Sequence, residues 1–425
     1  MNILKFGATG AEVELLQLAL NRAGFGPLDT DGVFGGATAQ ALRRFQQKNG
    51  LQPDAVLGRM TNAALYPWYT GYVNYTIRQG DSMFRIAQRH GVTLKAVETA
   101  NPGLDPFDLR PGNKLVVPLA FDVVPTTIRW SASLVGYAVR GITARYPFVM
   151  DSEYGYSVMG KPLRYLGIGR GERTVLYNAE HHANEWITTP VLLRFMEQLA
   201  RAWAFGGRIF GRPASEIYDK TRIYIAPAVN PDGMDLVTGA LSSGTYYARA
   251  RAIAEQFPTI PFPEGWKANI AGTDPNLQYP AGWEEARRIK FEQGFTRPAP
   301  RDYVGSAPLA APESRAMYNL TQELDPALTL SYHTQGNVIY WKYLDYEPWD
   351  SQRIAQCLSY VSGYAYETTP TGSGYAGYKD WFIQEYNRPG YSIECGLGMS
   401  PLPLSQFDDI YSANLGILVM AALGC

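Results

Sequence analysis

The chain has 425 residues, enough for two or three domains and a large core. Charged residues make up 18% and the net charge is −1, so the broad basic bias that nucleic-acid binding needs is missing. No apolar run reaches the length of a membrane span, the N-terminus from Met1 to Gly7 lacks an export-signal pattern, and three cysteines (Cys357, Cys395, Cys425) are too few for a disulfide framework.

Residues 1–66 contain a repeat. Asp31-Gly32-Val33-Phe34-Gly35-Gly36-Ala37-Thr38 aligns with Asp54-Ala55-Val56-Leu57-Gly58-Arg59-Met60-Thr61, each a tight turn that leads into a helix. A helix over 11–23 places Val13, Leu16 and Leu20 on one face and ends at Gly24. Ala41, Leu42 and Phe45 give the helix after the first turn its apolar face. With Phe45-Gln46-x-x-x-Gly50-Leu51, this segment resembles the peptidoglycan-binding three-helix domain. Tyr66-Pro67-Trp68-Tyr69-Thr70-Gly71 then reads as a linker.

Residues 72–118 read as strand, helix, helix, strand. Tyr75 to Ile77 alternate, Asp81 or Ser82 caps the first helix, Thr93 starts the second, and Asn101-Pro102 ends it. His90 reads as a solvent-facing residue near the end of the first helix. Gly80-Asp81-Ser82, Ala100-Asn101-Pro102 and the closing Pro111-Gly112-x-x-Leu115-x-Val117-Pro118 look like a LysM domain. That resemblance implies binding of N-acetylglucosamine polymers between the loops 80–83 and 101–106. Two short modules on one repetitive polymer gain avidity from tethering.

From residue 125 to 425 the pattern becomes α/β. Strands are expected at 163–167, 174–179, 222–226, 328–333, 338–341 and 390–394. Helices are expected at 127–146, 188–204, 312–325, 351–361, 377–386 and 407–423. Apolar runs such as Arg222 to Ala226 indicate strands buried on both faces, hence a mixed, mostly parallel sheet between helices. Ligands of such sheets bind beyond the carboxyl ends of the strands. Four chemically loaded stretches fall there: His182 to Glu185, Asn230-Pro231-Asp232-Gly233, His333 and Glu394.

The chain has only four histidines. His182 and Glu185 offer a nitrogen and an oxygen from one loop, and His333 completes a two-histidine, one-carboxylate set of the kind that holds hydrolytic zinc. His181 competes with His182 for the ligand place, and reads better as a packing or hydrogen-bonding residue. Ala179-x-x-His182-Ala183-Asn184-Glu185-Trp186, Asn230-Pro231-Asp232-Gly233, Ser331-Tyr332-His333 and Tyr391-Ser392-Ile393-Glu394, in this order, are similar to the zinc carboxypeptidase A-like family. The resemblance implies one Zn2+ per catalytic domain on His182, Glu185 and His333, with Glu394 as general base. Lys267, after Trp266, takes the place of the family's oxyanion arginine, and the Asn-Pro-Asp-Gly turn is read as structural support.

One position departs. The family holds a free peptide C-terminus with an Asn-Arg pair, and here Asn276 is followed by Leu277, which cannot form the bidentate ion pair. The covering tyrosine is sought among 371–378, with Tyr375 the nearest candidate. Asn276-Leu277-Gln278-Tyr279-Pro280-Ala281-Gly282-Trp283 and His333-Thr334-Gln335-Gly336 look like the bacterial γ-D-glutamyl-L-diamino acid peptidases. That branch implies cleavage between γ-D-glutamate and meso-diaminopimelate or lysine in murein stem peptides. Asn276, Tyr375 and Gln335 are the substrate-binding candidates, and Arg388 and Lys379 are further possible carboxylate readers. The expected partners are glycan strands and stem peptides, and the expected place is the cell wall or spore, without a visible export signal. An ordinary metallocarboxypeptidase and an inactive wall-binding protein are the alternatives.

Overall fold

Strands buried on both faces must lie inside a layer, and all six residues of Leu328–His333 are buried. In the computed structural model, which describes residues 3–370, 372 and 374–425, the chain divides into two units, Met1–Met150 and Asp151–Cys425.

The first unit opens with three helices, α1 (Ala11–Arg22), α2 (Gly36–Lys48) and α3 (Arg59–Thr70). The repeat has a physical origin in two glutamines. Gln17 donates to Asp31 Oδ1 (2.8 Å), the Val33 carbonyl and Thr38 Oγ1, and accepts from the Gly32 amide. Gln46 does the same with Asp54 Oδ1 (2.8 Å), Val56, Thr61 and the Ala55 amide. The residues expected as a linker are helical instead. α3 runs through Pro67 to Thr70 and ends on Gly71 in the left-handed conformation. Apolar Leu65 and Tyr69, four apart and buried, carry the helix through that stretch.

Next come β1 (Tyr72–Thr76), α4 (Met83–Arg89), α5 (Leu94–Ala100) and β2 (Lys114–Pro118), the two strands paired antiparallel. Ser82 caps α4 and Thr93 caps α5. Asn101 ties α5 to β2: it donates to the Val97 and Val116 carbonyls and accepts from the Val116 amide. His90 is half-buried, edge-on to Tyr75, rather than solvent-facing. The helix expected over 127–146 forms as α6 (Ala132–Arg145) and packs on α3. A side chain at Gly141 would collide with the Thr70 carbonyl, so only glycine permits that approach.

The second unit holds β3 (Met150–Tyr156), β4 (Pro162–Ile168), β5 (Arg173–Ala179), α7 (Thr188–Ala204), β6 (Arg208–Ile209), β7 (Arg212–Pro213), α8 (Ala214–Lys220), β8 (Thr221–Ala226), α9 (Pro231–Val237) and α10 (Gly244–Ala254). It continues with α11 (Trp283–Glu292), α12 (Pro312–Leu324), β9 (Leu328–His333), β10 (Val338–Tyr340), α13 (Ser351–Ser362), β11 (Ala365–Glu367), α14 (Tyr378–Tyr386), β12 (Gly390–Glu394) and α15 (Phe407–Leu423). Its eight-stranded sheet has the order β11-β10-β12-β9-β5-β8-β4-β3. The centre, β12, β9, β5 and β8, is parallel, and β10 and β4 run antiparallel to their neighbours β12 and β8. All four central strands therefore end on one edge. A disulfide joins Cys357 of α13 to Cys425, a single bridge, and Cys395 is buried and free. Among the described residues no helix is long and apolar enough to cross a membrane.

Candidate metal centre and substrate cavity

Each loaded stretch leaves the sheet at that shared edge. β5 ends at Ala179, and Glu180 turns the chain sharply with φ 61°, a left-handed conformation rare for a side-chain-bearing residue. The Asn230 amide holds this turn by bonding both the Glu180 carbonyl and its Oε2, each at 3.0 Å. His182 then precedes the 3-10 turn Ala183–Glu185, which aims Glu185 back across the edge. β9 delivers His333, and β12 delivers Glu394 directly beside it in register.

The donor atoms of His182, Glu185 and His333 all lie within 4.8 Å of one another. His182 Nδ1 is 3.1 Å from Glu185 Oε1, and His333 Nδ1 is 3.0 Å from Glu185 Oε2. His182 Nδ1 and Glu185 Oε1 are buried without a hydrogen-bond partner among the described residues. These two orphans, together with His333 Nδ1, bring two nitrogens and a carboxylate toward one point, a donor set that suits a cation. The far nitrogens of both rings are occupied, as ligand histidines require. His182 Nε2 faces Asp274 Oδ1 at 3.3 Å, and His333 Nε2 contacts Ser331 Oγ at 3.2 Å. Burial alone would push the His182 imidazole down, but Glu185 and Asp274 outweigh it and raise its pKa to about 9. Glu185 is held well below its ordinary value because Lys267, 3.0 Å from Oε1, and His182 overcome the burial. Burial, with the charge of Glu185 added, holds the Glu394 carboxyl above its ordinary value.

His181 is fully buried, and its Nε2 shares a hydrogen bond with the Tyr279 hydroxyl at 2.9 Å. The Asn-Pro-Asp-Gly stretch forms the start of helix α9 rather than a free turn, capped by Asn230. Asn230 Nδ2 donates to the carbonyls of His181 and Ala268, so one side chain joins the loop of His182 to the loop of Lys267. At Gly233 a Cβ would lie 2.6 Å from Ala183 Cβ.

A cavity of about 360 Å³ opens over the centre. His182, His333, Glu394, Lys267, Asn276, Gln335 and Tyr375 all line it. Leu277 lines it too, with its side chain packed among Trp283, Ala286, Val304 and Ala376. In the stretch 371–378, Thr371 and Ser373 lie outside the described residues. Arg388 is not at the cavity and pairs with Asp325 at 2.6 Å. Lys379 lines the cavity, but its ammonium is engaged by Asp380, the Lys342 carbonyl and Thr369 Oγ1. Sequence reasoning missed Glu180, Asp274 and Arg301, which also line or brace the site. Asp274 lies two residues before the Asn276 to Trp283 stretch, and its spacing alone carried no signal that it would meet His182.

These features define the class: an α/β protein with two histidines and one carboxylate, placed to hold a metal ion, at the carboxyl edge of its sheet. The family model described as zinc carboxypeptidase matches residues 138–410, and models of a putative peptidoglycan binding domain and a LysM domain match residues 9–65 and 75–118. The chain is 41% identical over 281 residues to gamma-D-glutamyl-L-diamino acid endopeptidase 1 of Lysinibacillus sphaericus, covering 66% of this chain and 69% of that protein. It is 40% identical over 290 residues to the uncharacterized protein YqgT of Bacillus subtilis, covering 67% of this chain and 75% of the relative. The fold is also that of carboxypeptidase A from Helicoverpa armigera, with a TM-score of 0.52 at 15% identity, covering 99% of this chain and 97% of that one. The chain belongs to the zinc carboxypeptidase family and is a zinc metallopeptidase, joined to peptidoglycan-binding and LysM domains.

Proposed function

We propose that this chain is a peptidoglycan hydrolase that cleaves the bond between γ-D-glutamate and a diamino acid, meso-diaminopimelate or lysine, in murein stem peptides. The observation that carries this reading is Leu277. Its side chain belongs to an apolar cluster where a reader of peptide C-termini needs a guanidinium. The relative from Lysinibacillus sphaericus is named for the same bond, and the two N-terminal domains address the same polymer. A cell-wall or spore setting is supported by the match of 63 residues, 43% identical, to the spore cortex-lytic enzyme of Bacillus cereus; that match spans 15% of this chain and 24% of that protein.

In this reading His182, Glu185 and His333 hold the zinc. When bound, zinc polarises the scissile carbonyl and lowers the pKa of water to about 7. Glu394, at the end of β12 and facing the cavity, takes a proton from the attacking water and returns it to the leaving amine. Lys267 supplies a positive charge beside the carbonyl oxygen as negative charge develops there. Asp274 keeps the His182 ring fixed.

The test is mass spectrometry of defined muropeptides digested by the zinc-loaded full chain, with His182→Ala as control. New fragments ending in γ-D-glutamate support the proposal. Intact L-Ala-γ-D-Glu-diaminopimelate in both digests overturns it, and release of single residues from the free C-termini of ordinary peptides favours the metallocarboxypeptidase alternative.

A further inference from the structure

The cavity that lacks a guanidinium at Leu277 has one elsewhere. Four cationic side chains line it: Lys267, Lys290, Lys379 and Arg301. The lysines are committed, Lys267 to Glu185, Lys290 to Asp302 at 2.6 Å, and Lys379 to Asp380 at 2.6 Å. Arg301 spends only its Nε, 2.6 Å from Asp302 Oδ2. Its two terminal nitrogens have no hydrogen-bond partner among the described residues, and its side chain is 43% exposed.

The segment that carries Arg301 is held firmly. The Pro300 carbonyl accepts from the amides of both Lys267 and Ala268, at 2.8 and 2.9 Å. The Asp302 amide donates to Asp274 Oδ2, the Asp274 amide donates to the Tyr303 carbonyl, and Asp302 sits at φ 65°. Arg301 is thus fastened to the backbone of Lys267 on one side and to the partner of His182 on the other. Its charge acts on Lys267, and the charges of Asp274 and Glu185 act on it.

We propose that Arg301 is the specificity-determining residue that reads the α-carboxylate of the γ-linked glutamyl residue on the acyl side of the scissile bond. The inference rests on the function proposed above. Lys267 stands beside the scissile carbonyl in that reading, and the proposal places its neighbour across Pro300 on the acyl side of the same cavity. In a γ-linked glutamyl residue two methylenes and the Cα separate the scissile carbon from the carboxylate, a span of roughly 5 Å. An α-linked peptide with a neutral side chain offers no anion there. A planar fork with both terminal nitrogens unpaired matches a carboxylate as a point charge does not.

The experiment compares L-Ala-γ-D-Glu-diaminopimelate with the same peptide carrying an α-carboxamide on the glutamyl residue. Wild-type chain, Arg301→Gln and Arg301→Lys are assayed zinc-loaded, and binding of both uncleaved peptides is measured on chelated protein. The wild type is expected to prefer the acid by about tenfold to a hundredfold in kcat/KM and to bind it more tightly. R301Q is expected to bring both ratios near one with melting temperature unchanged, and R301K to fall between. Equal wild-type handling of the two peptides, or a preference that survives R301Q, overturns the assignment. If neither peptide is cut but the acid binds better and R301Q removes that difference, the proposed reaction fails while the carboxylate site stands. If neither is cut and neither is discriminated in binding, both fall.

Discussion

His182 and Asp274 meet through Nε2 and Oδ1 at 3.3 Å, and this contact decides which nitrogen of His182 faces Glu185. An imidazole that gives its Nε2 proton to a carboxylate presents Nδ1 as a bare donor. Asp274→Ala is expected to weaken zinc binding by about 10- to 100-fold, measured by competition with a chromogenic chelator. Activity should return in excess zinc, because no group at the reacting atoms has been removed. Asp274→Asn, which keeps one acceptor oxygen for His182 and the Asn276 amide and loses the one that serves the Asp302 amide, should lose less affinity than Asp274→Ala.

In the proposed reaction Lys267 serves catalysis rather than the holding of the metal. Its ammonium is 3.0 Å from Glu185 Oε1, and its backbone is fixed by Pro300 and Asn230 through the next residue. Lys267→Met should lower kcat by about 10²- to 10³-fold, the usual loss when one oxyanion partner is removed. Metal analysis should still find one zinc per chain. Loss of zinc in step with activity would assign Lys267 to the ligand set's support instead.

How far the site could be read from the residues follows from what each signal measures. Strands such as Leu328–His333 were legible because parallel strands are apolar throughout, and their ends located the four loaded stretches. The helix through Tyr66-Pro67-Trp68 was not, since Pro and Gly usually punctuate and only the burial of Leu65 and Tyr69 overrides them. The start of α9 reads as a turn in the sequence because an Asn cap and Pro at the first helical position belong to both. Asp274, Glu180 and Arg301 were illegible for another reason. Their roles depend on which loop they meet across the fold, and an isolated acid or arginine carries no record of that.

Leu277 allows a gain-of-function test. It is partly buried against Trp283, Ala286, Val304 and Ala376, yet it reaches the cavity wall. Leu277→Arg should cost about 1–3 kcal/mol of stability, as a charge displaces packing, read as a lower melting temperature. It should also shift preference among short α-linked peptides toward the free acid over the C-terminal amide. No shift in a variant that still folds would mean that Leu277 does not occupy the carboxylate-reading place.

Gln17 and Gln46 provide the last prediction, in which the repeat is its own control. Each side chain is buried and makes four hydrogen bonds to one turn. Replacing either by leucine leaves a backbone amide and a Thr hydroxyl buried beside an apolar group. A loss of about 2–4 kcal/mol in the N-terminal unit is expected, seen as faster amide exchange at Gly32 for Q17L and at Ala55 for Q46L. The partner carboxyls add a pH signature. Asp31 is held below its ordinary value by the Val33 amide and then by Gln17, and Asp54 by the Val56 amide and then by Gln46. A depressed carboxyl lends stability above its unfolded pKa and withdraws it as pH falls through the folded one. Protection of Gly32 and Ala55 should therefore be constant at neutral pH and decline together below about pH 4. Hydrolysis of a soluble peptide at neutral pH should be unchanged in both variants, because the metal centre is built wholly from the second unit.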